Sequence, residues 1–156
     1  MAVAGPLLAS VSRPQLALDD PPIVQVTDPA AARAMVRGAP DAAAVLADRA
    51  AALTPPDSPR LADRTVRTGA YRYRAEDVAG AAAVLVDVLD RLPAGELRAE
   101  ALLWLCYVRQ AQNRMADVVG LGTRALADEP APPLRAAIER DLAYAHVIEG
   151  DPVTAD

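Results

Sequence analysis

The sequence contains one cysteine, Cys106, and one histidine, His146, the side chains best suited to nucleophilic or base catalysis. Such catalysis needs a nucleophile beside a base, and a zinc site needs several ligands, which one cysteine and one histidine cannot supply. A glycine-rich phosphate-binding loop of the type G-x-x-x-x-G-K-[ST] does not occur in the sequence either. We therefore predict that the protein is not an enzyme and has no catalytic residue, cofactor or metal.

Charge and hydropathy argue against two classes of partner. Asp and Glu outnumber Lys and Arg by 21 to 16, and the net charge of −5 disfavours a phosphate-binding surface. The longest apolar runs, residues 79–86 and 101–108, fall short of the ~20 residues that span a bilayer. A lone cysteine cannot form an internal disulfide, which favours a reducing compartment. We predict a cytoplasmic protein that contacts no membrane and does not bind nucleic acid directly.

Three kinds of residue recur at a spacing of 37 or 38 positions, which is typical of solenoids built from helix pairs. Turn-forming positions fall at Gly38, Glu76, Asn113 and Gly150. A proline follows 17 residues after each of the first three turns, at Pro55, Pro93 and Pro130. A small side chain precedes every turn by seven residues, at Ala31, Gly69, Cys106 and Ala143. This register predicts that Cys106 is a buried, inert thiol and that His146, equivalent to Arg109 and Arg72, is partly exposed.

Apolar periodicity predicts helices on both sides of these turns. The clearest stripe has the spacing i, i+3, i+4, i+7 of an amphipathic helix and consists of Val78, Ala81, Ala82, Leu85, Val88, Leu89 and Leu92. The same stripe recurs one repeat later and one repeat earlier. The fold predicted from this pattern is all-α, a right-handed α-solenoid of about three and a half helix pairs.

The domain organisation follows from the same register. Residues 1–28 are proline-rich and are expected to form a poorly ordered leader, because proline interrupts helices. The solenoid then covers residues 29–156, with repeats at about 29–59, 60–97, 98–134 and an incomplete one at 135–156. Since the last helix has only about one turn, we expect Ile138, Leu142 and Ala145 to be uncovered. This leads us to expect a fragment of a longer solenoid that self-associates through its uncapped C-terminal repeat.

The registers resemble those of the tetratricopeptide repeat. That family places a small residue early in its first helix, a turn seven residues later, another small residue five positions further on, and a proline after the second helix. The second set of small residues corresponds here to Ala43, Ala81, Val118 and Ala155. The resemblance covers residues 30–156 and implies a tetratricopeptide-like fold.

Three segments carry a narrower resemblance: LTPP at 53–56, LPAGELRAEAL at 92–102 and DLAYAHVIEGD at 141–151. They resemble the helical-repeat region of large LuxR-type transcription regulators, which are similar to the maltose-regulator class of ATP-binding proteins. The resemblance implies a sensor or interaction segment acting in signal transduction and transcription regulation. Only the middle region matches, so the ATPase and DNA-binding functions are not carried over. The alternative is a stand-alone adaptor that scaffolds partner proteins.

The resemblance also implies where a partner would bind. The first helix of each tetratricopeptide-like pair lines the concave side of the solenoid, where a protein or peptide binds. The residues that this register places on the concave face are Tyr73, Tyr107, Gln110, Arg140 and Tyr144. Tyrosine offers rigid contact area with a polar tip. The alternative is that these tyrosines, like Trp104, pack between neighbouring repeats.

Overall fold

The computed structural model describes residues 28–150, and over that range the chain forms seven helices and no strand. The helices are α1 (Pro29–Val36), α2 (Pro40–Ala52), α3 (Leu61–Arg74), α4 (Val78–Leu89), α5 (Glu96–Ala111), α6 (Met115–Ala127) and α7 (Pro132–Glu149). The predicted all-α class is therefore confirmed. The predicted leader, apart from its last residue, and the start of the predicted final helix lie outside the described residues.

The four predicted turn positions all have a left-handed backbone. Gly38, Glu76, Asn113 and Gly150 have φ angles of 72°, 63°, 57° and 78°. A left-handed residue directly after a helix stops it and turns the chain, and glycine or asparagine adopts that conformation at little cost. The predicted turn positions are confirmed, and Glu129, with φ 54°, provides a further left-handed position after α6 that the pattern did not indicate.

Helix α5 is the central element of the core. Each helix packs on the next one along the chain, and in addition α3 packs on α5 and α5 packs on α7. Consequently α5 is surrounded by four other helices, and all ten residues from 99 to 108 are buried. The main core contains Leu85 of α4, Leu102 and Leu105 of α5, and Ile138 of α7. A helix buried on all sides holds its side chains rigidly, so residues on α5 are well placed to orient a site.

The first two helices form a smaller core made of alanine. Ala31, Ala34, Ala43 and Ala47 pack together, and Tyr71 of α3 packs against them. Polar contacts reinforce this junction: the Arg72 guanidinium donates to both oxygens of Asp48, at 3.1 and 2.9 Å. Small side chains allow close approach of α1 and α2, so this end gains stability from packing distance more than from buried volume.

The structure corrects the expectation about the C-terminal repeat. Ile138 and Ala145 are fully buried and Leu142 is half-buried, so the prediction that this set is uncovered is wrong. These side chains pack on α5 and α6, the helices that precede them in the chain. The exposed apolar residues of α7 are instead Tyr144, Val147 and Ile148. None of the helices between residues 28 and 150 combines the length and apolar character required to cross a membrane.

Candidate functional site

The two residues with potential for catalysis, Cys106 and His146, lie in different environments. Cys106 is buried, its Sγ lies 3.8 Å from the Val118 carbonyl oxygen, and burial raises its pKa to about 12. A thiol with so high a pKa is not a nucleophile at neutral pH. His146 is partly exposed, so both predicted environments are confirmed. Among residues 28–150, no three His, Cys, Asp or Glu side chains are grouped closely enough to hold a metal.

An aromatic cluster of Tyr73, Trp104 and Tyr107 lies where α3 meets α5. The Tyr107 ring stacks on Tyr73 at 6.1 Å between centroids and meets the edge of Trp104 at 5.4 Å. The Arg74 guanidinium carbon lies 5.1 Å from the Trp104 ring centroid. The chain has one tryptophan, four tyrosines and no phenylalanine, so three of its five aromatic side chains are in this cluster. Aromatic pairs of this geometry add about 0.5–1.5 kcal/mol each beyond the area they bury.

Asp141 of α7 lies close to Tyr73 and Tyr107 of the aromatic cluster. Its exposed fraction is only 6%, and burial raises the pKa of its carboxyl to about 6 against the opposing effect of the Arg140 charge. The Tyr107 hydroxyl is close enough that burial together with the Asp141 charge raises the pKa of Tyr107 well above its usual range. The same two causes raise the pKa of Tyr73. One carboxylate thus influences tyrosines on both α3 and α5.

Four buried polar atoms in this region have no hydrogen-bond partner of normal geometry among the described residues. They are the Trp104 Nε1, the Tyr107 hydroxyl, the Gln110 Nε2 and the Asp141 Oδ2. Trp104, Tyr107 and Gln110 follow one another at intervals of three residues, so they lie along one side of α5. We call this side, together with the facing parts of Tyr73 and Asp141, the α3–α5–α7 face. A buried polar atom without a partner costs about 1–3 kcal/mol. The grouping of four such atoms in one region therefore needs an explanation.

A charged group borders the face at the N-terminal half of α5. Glu100 lies one turn before Trp104 and is buried, and burial raises the pKa of its carboxyl while the nearby Arg67 charge lowers it. Arg67 is buried as well and donates to Asp63 through its Nε, at 3.1 and 3.2 Å from the two carboxylate oxygens. The face therefore continues from aromatic rings into paired charges.

The structure brings several of the sequence-predicted site residues together. Tyr73 and Tyr107 stack directly, Gln110 lies one turn beyond Tyr107, and the Arg140 Nε lies 3.9 Å from Asp141 Oδ1. Tyr144 lies one turn beyond Asp141 and is exposed. Whether these residues bind a partner stays a prediction.

Sequence reasoning missed Asp141 and Glu100. Both are acidic residues in positions that the helical period places beside apolar residues, Asp141 three positions after Ile138 and Glu100 three positions before Leu103. A carboxylate at a core position is uncommon unless it is paired or functional. This mismatch between an acidic residue and a core position could have identified both residues from the sequence.

Three open grooves lie elsewhere on the surface. The first, of about 360 Å³, runs between α5 and α6 and is lined by Leu105, Arg109 and Arg124 among others. The second, of about 420 Å³, is bordered by Leu61 and Val88. The third, of about 370 Å³, lies along α1. None of the residues that line these grooves has a buried polar atom without a hydrogen-bond partner, so the grooves lack the unsatisfied groups found on the α3–α5–α7 face.

Comparison with known proteins does not indicate a function, so the proposal below is based on the geometry of the α3–α5–α7 face. No protein-family model matches the chain, and neither curated proteins nor solved structures give a significant match.

Proposed function

We propose that the chain is a non-catalytic interaction module that receives a peptide or protein segment on the α3–α5–α7 face. The observation that carries the proposal is the grouping of an aromatic cluster with four unpartnered polar atoms where these three helices meet. In this proposal the helices form a tetratricopeptide-like right-handed solenoid of about three and a half pairs, and the face is its concave side. The contacts of α3 with α5 and of α5 with α7 are those expected between the first helices of successive pairs.

The chemistry of the face suits a polypeptide. Trp and Tyr are enriched at the centres of protein interfaces because they bury much area and lose few rotamers. Indole, amide and hydroxyl groups without partners can donate to backbone carbonyls, and the Asp141 oxygen can accept from an N–H group. A bound backbone would therefore satisfy groups that are left without partners within the described chain.

A peptide library displayed on phage and selected against the immobilised chain tests this proposal. Tyr144→Arg places a bulky charge at the edge of the face, and Val86→Arg is its matched control on α4, since the two residues have exposed fractions of 42% and 44%. We expect Y144R to weaken the selected peptides at least about tenfold, a loss typical of an interface anchor, and V86R to leave them unchanged. Failure to select any peptide, or equal losses in both variants, would contradict the proposal.

We further propose that the module belongs to the helical-repeat sensor region of a LuxR-type ATP-binding regulator in the cytoplasm. The segments at 53–56, 92–102 and 141–151 support this reading. In the alternative, a stand-alone adaptor, the same face would scaffold partners without a link to transcription. An antibody against this chain separates the two: the regulator predicts a much larger polypeptide in cell extracts, and the adaptor predicts a band near 16.3 kDa.

A second interaction is favoured by the exposed apolar residues Tyr144, Val147 and Ile148 of α7. We propose that they mediate self-association, because burying them against a second copy removes apolar surface from water. Sedimentation equilibrium should show concentration-dependent dimers that V147S/I148S abolishes. The control V45S changes an equally apolar exposed residue on α2, and a loss of dimers in that variant would contradict the assignment to α7.

A further inference from the structure

The carboxylate of Asp141 is incompletely paired for a buried charge. Its Oδ2 has no hydrogen-bond partner among the described residues, and its Oδ1 lies 3.9 Å from the Arg140 Nε, beyond hydrogen-bonding distance. The groups that face it from packed elements are Tyr107 and Cys106 on α5 and Tyr73 on α3, none of which is positively charged. The face therefore presents a buried negative charge whose nearest donor on another helix is the neutral Tyr107 hydroxyl.

We propose that the α3–α5–α7 face recognises a basic side chain, arginine or lysine, on the bound peptide. The cationic group would lie between the Asp141 carboxylate and the rings of Tyr73 and Tyr107, while Gln110 donates to a carbonyl oxygen of the peptide backbone. This inference rests on the proposed function and adds the chemical class of the partner.

Aromatic rings favour a cation at this position. The negative faces of tyrosine and tryptophan rings attract guanidinium and ammonium groups, most strongly where water is excluded. The cluster already holds one such contact, between Arg74 and Trp104 at 5.1 Å. The net charge of −5 further favours a basic partner by attraction at long range.

The balance of donors and acceptors favours a peptide over a free amine. Gln110 Nε2 is a donor without an acceptor, and Trp104 Nε1 has only the Glu100 carboxylate nearby, at a geometry outside the normal range, so a matching ligand supplies oxygen atoms as well as a positive charge. A free amine supplies only donors, whereas a basic peptide supplies both. Arg140 is exposed and its ion pair with Asp141 is long, so its guanidinium can move into solvent when a ligand cation arrives.

Trp104 provides a direct probe because it is the only tryptophan of the chain. Its fluorescence would be followed during titration of the full chain with three ligands: acetyl-Gly-Arg-Gly-amide, the same peptide with citrulline, and agmatine. Citrulline keeps the shape of arginine without the charge. Agmatine keeps the guanidinium, with a second positive charge on its amine, and has no peptide carbonyls. We expect saturable binding of the arginine peptide, with the citrulline peptide and agmatine at least about tenfold weaker because each loses charge-assisted or carbonyl hydrogen bonds.

Variants locate the contact. Asp141→Asn should weaken the arginine peptide at least about tenfold, since the charge that pairs with the guanidinium is removed. Glu139→Gln is the matched control, because it removes one negative charge from an exposed position on the same helix. If D141N perturbs folding, the wild-type chain provides the test. Its affinity for the arginine peptide should rise between pH 5 and pH 8, because Asp141 becomes charged over that range. H146Q, which removes the only histidine, should show the same rise.

Two sets of results would overturn the inference. The cationic contact would be refuted if the arginine and citrulline peptides bind equally, if neither binds, or if D141N and wild type bind the arginine peptide equally. The assignment to a peptide would be refuted if agmatine binds as tightly as the arginine peptide. The phage selection separates this failure from that of the proposed function. Selected peptides that lack basic residues yet are weakened by Y144R would leave the proposed function standing and this inference refuted.

Discussion

The substitution Gly69→Ala tests why the residue seven positions before a turn is small. A Cβ atom added at Gly69 would lie 2.6 Å from Leu85 Cγ and 2.7 Å from its Cδ2. Leu85 is fully buried in the main core, so it has little room to move away. The glycine therefore sets the distance between α3 and α4.

The expected effect combines two opposing terms. Forcing a methyl group into a packed core costs about 1–3 kcal/mol. Replacing glycine by alanine inside a helix gains about 1 kcal/mol. G69A should therefore lower the free energy of unfolding by up to about 2 kcal/mol, the difference of these terms.

Gly120→Ala isolates the packing term. A Cβ at Gly120 meets nothing within 4 Å, so G120A should raise the free energy of unfolding by about 1 kcal/mol through helix propensity alone. Urea unfolding followed by circular dichroism would compare the two variants, and the difference between them is the overpacking cost of about 1–3 kcal/mol. In the double variant G69A/L85A the clash disappears, so Leu85→Ala should cost less there than in the wild-type background. Equal stabilisation by G69A and G120A would refute the reasoning.

Three further predictions concern charge and capping. Burial raises the pKa of Asp141 from 3.8 to about 6, so its contribution to the free energy of unfolding is most favourable below pH 4 and becomes less favourable as the pH rises to 6. D141N should remove this pH dependence and raise the free energy of unfolding at pH 8 by up to about 3 kcal/mol, as measured by urea titrations at several pH values. Hydrogen bonding to Arg98 lowers the pKa of Asp128. D128N should therefore lower the melting temperature at pH 7, and by progressively less below about pH 4. A loss of melting temperature that does not change with pH would contradict a stabilising charge on Asp128. Asp77→Ala removes the cap on Gly80 N, at 2.9 Å, and should cost about 1 kcal/mol in thermal unfolding, while D77N should retain most of it.

Local signals predicted the helices and turns because each depends on few residues. Gly38 and Asn113 adopt left-handed angles with little strain, and the apolar stripe that includes Val78 and Leu85 follows the period of a single helix. The repeat register also predicted the burial of Cys106 correctly, whereas Ala143 at the equivalent position is exposed.

Features that depend on several helices at once were harder to predict. The register assigned Ile138 and Ala145 to an uncovered end, but which helices cover a residue depends on how α7 sits against α5 and α6. Likewise the register placed Tyr107 on one side of a helix without indicating its depth, and its ring is almost fully buried. The role of Asp141 arises only where two helices distant in sequence meet.

The unpartnered groups on the α3–α5–α7 face link stability to binding. Their desolvation opposes folding, and ionised Asp141 adds to this cost above pH 6. A ligand that supplies a cation and carbonyl oxygens would offset both penalties, so it should raise the melting temperature more at pH 8 than at pH 5. If these groups had only a structural role, the ligand would raise the melting temperature equally at pH 5 and pH 8, or not at all. The groups whose desolvation opposes folding are therefore the ones that a bound partner would satisfy.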